Sequence, residues 1–363
     1  MKILAIFLGL LAVSLSIVPI MALPPSVVYV NEGESIQTAI DNVAVGGTVM
    51  VKPGTYPGSL DINKGIKLKS TGGRDVTRIV GASVGTVITI QPNLGTVTID
   101  GFTVELPSTV SNPNGISQGY ASANGTASII LNNKIVVTNK LRNGIQVSGA
   151  NSKVIGNIVE GGPLTEDWAS TGIMAVNFAG YPDAENVLIK DNHILGGMGY
   201  GIAVIQWYDG GEVKDCQVEG NIIEKTKYGG ISLGGKVTGT KILNNKISKN
   251  ELGIGLDHDF YYDYGGGNPS GTMINHNEFC DNKVDLEVYG GNIEGKVDAR
   301  FNYWCSNAGP TEKKLIGPID SFPYEKRNSI PMASILKILK RNYKKNHGTE
   351  PEGVVEGPAE PEG

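Results

Sequence analysis

A short motif, x-Asn-x-apolar, recurs along most of the chain and constrains its fold more than any other feature. Its asparagines are spaced by 24, 35, 29, 24, 32 and 25 residues, so the base period is about 24 residues, with insertions in three intervals. A fixed period of this length is typical of solenoid and other repeat architectures. The seven copies are centred on Asn133, Asn157, Asn192, Asn221, Asn245, Asn277 and Asn302.

Each repeat carries a second motif, Gly-Ile-x-apolar, shortly after its asparagine. It places Ile145, Ile173, Ile202, Ile231 and Ile254 in equivalent positions, and Leu286 keeps the same register. A third apolar stretch, such as VLIKDN or KILNN, completes each unit. Short alternating strands without hairpin signals between them satisfy their backbone groups when each strand pairs with its equivalent one coil later. The pattern therefore predicts an all-β, single-stranded parallel β-helix with about 24 residues per coil.

The same periodicity predicts what the columns of side chains do. The Gly-Ile motif supplies one inward apolar column, and the position two residues after each asparagine supplies another: Ile135, Val159, Ile194, Ile223, Ile247, Phe279 and Trp304. We expect each asparagine to lie at a tight bend, where its side chain tolerates the left-handed conformation. Stacked amides are also expected to hydrogen-bond along the column.

Two further stretches resemble a known group of proteins. SIQTAIDNVAVGGTVMVKPGTYPGSLDINKGIKLKSTGG is similar to the entry segment of pectate lyase-like right-handed parallel β-helix proteins with PbH1-type repeats. FNYWCSNAGP resembles the NYWGxxxGP element that closes such domains, with Cys305 in place of the usual glycine. The resemblance covers roughly residues 28–325 and implies a right-handed coil. It also implies an N-terminal capping helix over Ser35 to Asn42, but no single activity, because this fold hosts many.

The chain ends differ in composition from the repeat region. Residues 1–22 are typical of a cleaved secretory signal, and the alternative is an uncleaved membrane anchor. The β-helix domain is assigned to 23–330, and residues 331–345 form a basic amphipathic segment that either caps the fold or contacts anionic lipid. Residues 346–363 are rich in Pro, Glu and Gly, so we expect a disordered tail. The protein is expected to be secreted or extracellular at the cell surface.

The charge balance excludes one class of partner. The net charge is -5, only 18% of the residues are charged, and no basic stripe is present, so nucleic acid is not an expected partner. We expect a monomer, with membrane contact only if the N-terminal segment stays uncleaved.

The three cysteines predict one pair and one free thiol. Cys280 and Cys305 each lie three residues after a repeat asparagine in consecutive coils. Stacking should bring their Cα atoms to about 4.8 Å, which suits a disulfide. The alternative is two packed thiols. Cys216 lies on a different strand and should stay free.

Three insertions flank the Gly-Ile strand, and long loops on a rigid scaffold often carry function. They are expected to wall a groove over the outer face of that strand. Aromatic side chains there suit sugar rings, although long loops also need an apolar cluster of their own. The candidate substrate-binding residues are Trp168, Trp207, Tyr208, Tyr262 and Tyr289.

Acidic residues gather at the C-terminal end of the expected groove floor. Asp257 and Glu287 point outward in consecutive coils at roughly 8 Å between Cα atoms, which suits paired catalytic carboxylates. His258 is a candidate proton shuttle or a surface histidine. Alternatively, Asp257, Asp259 and Asp263 supply oxygen ligands for Ca²⁺.

Three functional hypotheses follow from these patterns. The chain is a polysaccharide hydrolase or lyase, a non-catalytic protein that binds a polysaccharide or cell-surface glycan, or a structural surface protein. The lyase hypothesis lacks a basic residue on the groove floor, because Arg142 and Arg300 lie at coil turns or ends. The polygalacturonase signatures are missing as well, so the sequence leaves catalysis open.

Overall fold

The chain folds into a right-handed parallel β-helix, as the sequence predicts. The computed structural model describes residues 23–81, 85–106, 114–118, 126–137, 143–162, 170–178, 183–207, 211–256, 271–289 and 295–327. Every strand pair in this part of the chain is parallel, from Val27↔Thr48 to Asp298↔Asp320. Parallel connections of this kind are almost always right-handed. The signal segment, the basic segment and the acidic tail predicted at the termini lie outside the described residues.

Three long sheets and one short sheet form the walls of the helix. The twelve-stranded sheet contains, in spatial order, Val27–Val30, Thr48–Val51, Lys67–Ser70, Thr96–Asp100, Ala127–Leu131, Lys153–Ile155, Leu188–Lys190, Gln217–Glu219, Lys241–Leu243, Met273–Asn275, Val297–Asp298 and Ile319–Asp320. The nine-stranded sheet contains Gly54–Pro57, Thr77–Val80, Thr103–Leu106, Lys134–Val137, Ile158–Glu160, His193–Leu195, Ile222–Glu224, Lys246–Ser248 and Glu278–Cys280.

The ten-stranded sheet holds the Gly-Ile motifs. Its strands are Leu60–Ile62, Ile88–Ile90, Asn114–Gln118, Asn143–Val147, Thr171–Phe178, Tyr200–Trp207, Gly229–Gly234, Leu252–Leu256, Val284–Val288 and Leu315–Ile316. A three-stranded sheet of Ala184–Glu185, Val213–Lys214 and Val237–Thr238 adds a fourth side to the middle coils. A short 3-10 helix, Glu312–Lys314, precedes the last strand of the ten-stranded sheet.

The N-terminal end of the core is closed by the predicted helix, which spans Ile36–Asn42. Its N-cap is Ser35, whose hydroxyl oxygen accepts a hydrogen bond from the Thr38 backbone N–H at 3.2 Å. Ile36 and Ile40 are buried against the first coils. The helix therefore removes the open apolar end of the solenoid from water.

The repeat asparagines form a buried ladder. The backbone N–H and the Nδ2 of Asn157 both donate to Oδ1 of Asn192, at 2.9 and 3.0 Å. Nδ2 of Asn157 also donates to the Ile130 carbonyl at 2.9 Å. The same pattern continues through Asn302, so the ladder satisfies the backbone at the bend in each coil.

The left-handed residue at this bend is the one before each ladder asparagine, not the asparagine itself as the sequence pattern suggested. Its φ lies between 52° and 66° in all seven coils. The ladder asparagine is instead fixed by the hydrogen bonds of its buried side chain. The residue before it therefore adopts the left-handed conformation that the turn requires. The seven positions are Asn132, Gly156, Asp191, Gly220, Asn244, His276 and Phe301.

The glycine of the Gly-Ile motif is required by space. A β-carbon on Gly144 would stand 2.5 Å from the Gly172 carbonyl oxygen of the next coil and 2.9 Å from Cγ1 of Val159. Gly115, Gly172, Gly201, Gly230 and Gly253 meet comparable contacts. Because the core and the next coil both crowd this position, any side chain there forces the coils apart.

The C-terminal coils carry the predicted disulfide. Cys280 and Cys305 are bonded, with their Cα atoms 5.2 Å apart. Cys216 is free and buried, and burial raises the pKa of its thiol to about 12. Among the described residues, no helix is long and apolar enough to cross a membrane.

Candidate functional site

Three columns of side chains cover the outer face of the ten-stranded sheet. The pairing register places Asn114, Asn143, Thr171, Tyr200 and Gly229 in the first column. The second contains Asp61, Thr89, Ser117, Gln146, Met174, Ala203, Ser232, Gly255, Glu287 and Ile316. The third contains Val176, Ile205 and Gly234, with Ser148 and Tyr289 at its two ends by alternation.

The middle of this face is apolar and buried. Met174, Val176, Tyr200, Ala203 and Ile205 pack into a cluster separate from the main core. None of them is more than 4% exposed. The partly buried Tyr228 ring packs against this cluster, with its centroid 5.8 Å from that of Tyr200.

The N-terminal part of the face is polar. Nδ2 of Asn143 donates to Oε1 of Gln146 at 2.9 Å, and Nδ2 of Asn114 donates to Oγ1 of Thr86 at 3.3 Å. The Oδ1 atoms of both asparagines and the Oγ1 of Thr171 are buried and have no hydrogen-bond partner. The buried hydroxyl of Ser232, further along the face, is also without a partner.

Sequence reasoning missed the first column because the alternation breaks at the motif glycine. A β-carbon on Gly144 would point at the core side chain of Val159, and Ile145 is also buried in the core. Two successive residues thus face inward, which turns Asn143 outward. The first column could have been identified from the sequence by reading the residue two positions before each motif isoleucine.

The C-terminal end of the face returns to the surface at Glu287 and Tyr289. Glu287 pairs in register with Gly255 on one side and Ile316 on the other. Tyr289 is 39% exposed, and its backbone N–H donates to the Leu256 carbonyl at 2.9 Å. Burial of the phenol, then its hydrogen bond to the Glu287 carboxylate, raises the pKa of Tyr289 to about 12. A carboxylate and a partly exposed aromatic ring therefore lie side by side.

Most of the predicted site residues lie outside the described part of the chain. These are Trp168, Tyr208, Asp257, His258, Asp259, Tyr262 and Asp263. Trp207 ends the strand Tyr200–Trp207, where it pairs in register with Phe178. The carboxylate pair, the calcium ligands and the aromatic walls remain predictions, and the structure places only Glu287 and Tyr289 of this set together.

Ion pairs cluster on and next to the three-stranded sheet. Nζ of Lys214 lies 2.5 Å from Oδ2 of Asp183 and 3.2 Å from Oε2 of Glu212, and Lys236 also pairs with Glu212. The hydrogen bond from Lys214 lowers the pKa of the Asp183 carboxyl, and the one from Lys236 lowers that of Glu212. Both lysines are therefore engaged by acids that lie directly before strands of this sheet.

Comparison with known proteins gives a family model without an assigned activity and several solved structures of low similarity. A family model described as a protein of unknown function (DUF1565) matches residues 181–308. No curated protein matches the sequence. ORF18 of Geobacillus virus E2 is 16% identical over 76% of this chain, with a TM-score of 0.47, and the match spans 59% of the viral chain.

Two enzymes of carbohydrate metabolism are among the similar structures. The A-module of the mannuronan C-5 epimerase AlgE6 of Azotobacter vinelandii is 16% identical, with a TM-score of 0.40, covering 80% of this chain and 95% of that one. The pectate lyase Pel9A is 11% identical, with a TM-score of 0.41, covering 84% and 79%. With identities of 16% or less and TM-scores below 0.5, these likenesses assign no activity to this chain, and its fold is established by its own parallel strand register.

Proposed function

We propose that this protein is secreted, or held at the cell surface, and interacts with a polysaccharide through the outer face of its ten-stranded sheet. The observation that carries the proposal is the pair of Glu287 and Tyr289. At these two positions the described face brings a carboxylate and a partly exposed aromatic ring together, after a buried apolar stretch. The site is rigid because both residues belong to, or directly follow, one strand of a sheet.

The chemistry of this pair suits a sugar. A tyrosine ring offers an apolar face with a polar tip, which matches the mixed apolar and hydroxyl surface of a sugar ring. A carboxylate accepts hydrogen bonds from sugar hydroxyls, and such bonds are stronger than those between neutral groups. The Cys280–Cys305 disulfide supports the extracellular location, since disulfides persist in oxidising compartments.

Cleavage of the polysaccharide is the second candidate function. Glu287 is in register with Gly255, two residues before Asp257 in the sequence. In this hypothesis Glu287 and Asp257 act as a pair of acid and base, His258 assists proton transfer, and Ca²⁺ bound by Asp257, Asp259 and Asp263 orders the loop. The geometry of the Glu287 position is compatible with both functions, and binding without cleavage requires fewer residues.

The proposal is tested with a panel of soluble polysaccharides in affinity gel electrophoresis, together with assays for released reducing ends and for unsaturated products. Retention of at least one polysaccharide is expected, and both Glu287→Gln and Tyr289→Ala should weaken it several-fold. Glu105→Gln, on the nine-stranded sheet, is the matched control and should bind like the parent. A panel without retention or product, or retention unchanged in both site variants, contradicts the proposal.

The same assays separate the two candidate functions. Cleavage predicts product release that Glu287→Gln abolishes while binding is retained. Melting temperatures measured with Ca²⁺ and with a chelator test the calcium hypothesis, because a metal that binds the folded state raises the melting temperature. The cleavage assay is repeated under the same two conditions.

A further inference from the structure

We infer that Cys280, Cys305 and Glu278 bind a thiophilic divalent cation such as Zn²⁺ when the disulfide between the two cysteines is reduced. We call these three residues the sulfur site. Among the described residues they are the only group of three or more histidine, cysteine and acidic side chains whose ligand atoms all lie within 4.8 Å of one another. The site is separate from the face proposed to take a polysaccharide, and the inference does not depend on that proposal.

The repeat brings the three side chains together at the surface. Glu278 and Cys280 lie two residues apart on the strand Glu278–Cys280, so they point outward while Phe279 between them is buried in the core. Cys305 comes from the following coil, with its Cα atom 5.2 Å from that of Cys280. Glu278 and Cys280 are partly exposed and Cys305 is exposed, so a dissolved ion can reach the site.

The disulfide alone does not explain the orientation of Glu278. Its Oε1 lies 3.4 Å from Sγ of Cys280, although a sulfur in a disulfide has no proton to donate. A tetrahedral ion bonded to sulfur at about 2.3 Å and to oxygen at about 2.1 Å holds those two ligand atoms about 3.6 Å apart. The observed separation is therefore close to the one that a shared ion imposes.

The other carboxylate oxygen of Glu278 is held from outside the site. The Arg327 guanidinium pairs with Oε2 and lies over the Tyr303 ring, 4.6 Å from its centroid. A ligating carboxylate is commonly fixed by an outer hydrogen bond of this kind. Nζ of Lys246 lies 3.8 Å from Oε1, but its side chain is 55% exposed and can turn into solvent when an ion binds.

The ligand atoms and their charges select the ion. Thiolates favour Zn²⁺ and other soft or borderline ions, whereas Ca²⁺ and Mg²⁺ take oxygen ligands. Two thiolates and one carboxylate carry three negative charges, of which a divalent ion balances two and the Arg327 guanidinium the third. Three protein ligands also leave the fourth tetrahedral position for a water molecule.

Binding follows reduction of the disulfide by a dithiol. The reductant supplies two electrons to the Cys280–Cys305 bond, which breaks, and its own two sulfurs join in a disulfide. Its two protons pass to the cysteines. The ion then displaces both protons as it binds the two thiolates. A small-molecule disulfide oxidises the pair again, and the ion is released as the protein disulfide forms.

The test uses Co²⁺ as the probe, because its bonds to thiolates absorb in the near ultraviolet. The full chain is reduced with excess dithiol, which is removed anaerobically before the titration. We expect one Co²⁺ per reduced chain, with thiolate charge-transfer absorption that one equivalent of Zn²⁺ abolishes. The oxidised chain should not develop this absorption.

Variants identify the ligands. Cys305→Ser should weaken binding of Zn²⁺ by at least about 100-fold, since the loss of an outer partner already costs roughly 10- to 100-fold. Glu278→Gln keeps both thiolates and should weaken binding about 10-fold. Cys216→Ser removes the free buried thiol, and Glu224→Gln removes a carboxylate of the same sheet that pairs with His193. Both are controls and should bind like the parent.

The outcomes separate this inference from the proposed function, which is measured on the oxidised protein. No binding by the reduced parent, or equal affinity in Cys305→Ser, overturns the inference. Equal affinity in Glu278→Gln overturns the three-ligand site. If Cys305→Ser does not fold, the reduced parent and Glu278→Gln decide. A reduced chain that loses the circular dichroism of its sheets also overturns the inference, because the site requires stacked coils.

Discussion

Gly253 and Asp285 occupy the same register in successive coils, and the carbonyl oxygen of Asp285 lies 2.4 Å from the point where a β-carbon on Gly253 would stand. Asp285 tolerates a side chain because the strand that follows, Leu315–Ile316, pairs with Leu286 and Glu287 but does not reach it. The glycine column therefore ends at the coil whose next strand pairs with only part of it.

This difference predicts that alanine destabilises the protein at Gly253 but not at Asp285. Gly253→Ala forces its β-carbon against fixed backbone and should lower the free energy of unfolding by about 1–3 kcal/mol or more. Asp285→Ala is the matched control and should fold as stably as the parent at neutral pH. Urea denaturation of both variants measures this, and equal stability of the two would contradict the crowding argument.

The buried carboxyl of Asp285 predicts a dependence of stability on pH. Burial raises its pKa, and the hydrogen bond from Asn282 at 3.0 Å only partly opposes this. A raised folded-state pKa contributes stability below the unfolded value near 3.9 and loses it as the pH rises through the folded value. Asp285→Asn keeps an acceptor for Asn282, so it should be more stable than the parent at neutral pH.

The measurement is urea unfolding between acid and neutral pH for the parent and Asp285→Asn. The stability difference should vanish at the acid end, where the parent carboxyl is protonated in both states. A difference of the same size at both ends would show that charge is not its cause.

The asparagine ladder predicts a large loss from one substitution. The side chain of Asn221 donates to Ile189 and Asn245 and accepts from Asn192, all within 3.0 Å. Asn221→Ala leaves buried groups of two adjacent coils unpaired, at a cost of about 2–4 kcal/mol. Asn244→Gly is the control at the preceding residue, because its φ of 57° suits glycine. Calorimetric melting distinguishes the two, and a small effect of Asn221→Ala would contradict the role of the ladder.

The pair at the candidate site predicts a titration that a purely structural tyrosine would not show. The pKa of Tyr289 is raised to about 12 by burial and by Glu287. Glu287→Gln removes the negative charge, so Tyr289 should ionise at a lower pH than in the parent. Ultraviolet difference spectra, with Tyr289→Phe to identify the signal, measure this pKa. No shift in Glu287→Gln would show that the two groups do not interact.

The fold could be predicted because its determinants repeat. Ile145, Ile173 and Ile202 stack as the spacing predicts, and Cys280 is bonded to Cys305 with a Cα separation close to the expected one. The bend was misassigned by one residue, because asparagine favours both a left-handed turn and a side-chain ladder. Only the hydrogen bonds show which of two neighbouring positions takes each role.

The candidate site was harder to predict because it depends on departures from the repeat. Alternation identified Glu287 and Tyr289 as outward, but it failed before the motif glycine and so missed Asn143 and Thr171. Alternation also did not show that Met174 and Ile205 of the middle coils are buried together on the outer face. Burial on an outer face depends on packing between coils. The alternation of residues within a single strand carries no information about that packing.

The order of the twelve-stranded sheet, from Val27–Val30 at one edge to Ile319–Asp320 at the other, has a mechanical consequence. The two ends of the described chain lie at opposite ends of the stack, so tension between them passes through every coil in series. Such a stack yields by peeling coils from its ends, where each coil has a neighbour on one side only. The disulfide ties two of the last coils covalently and leaves the helix-capped end as the place where peeling under load begins.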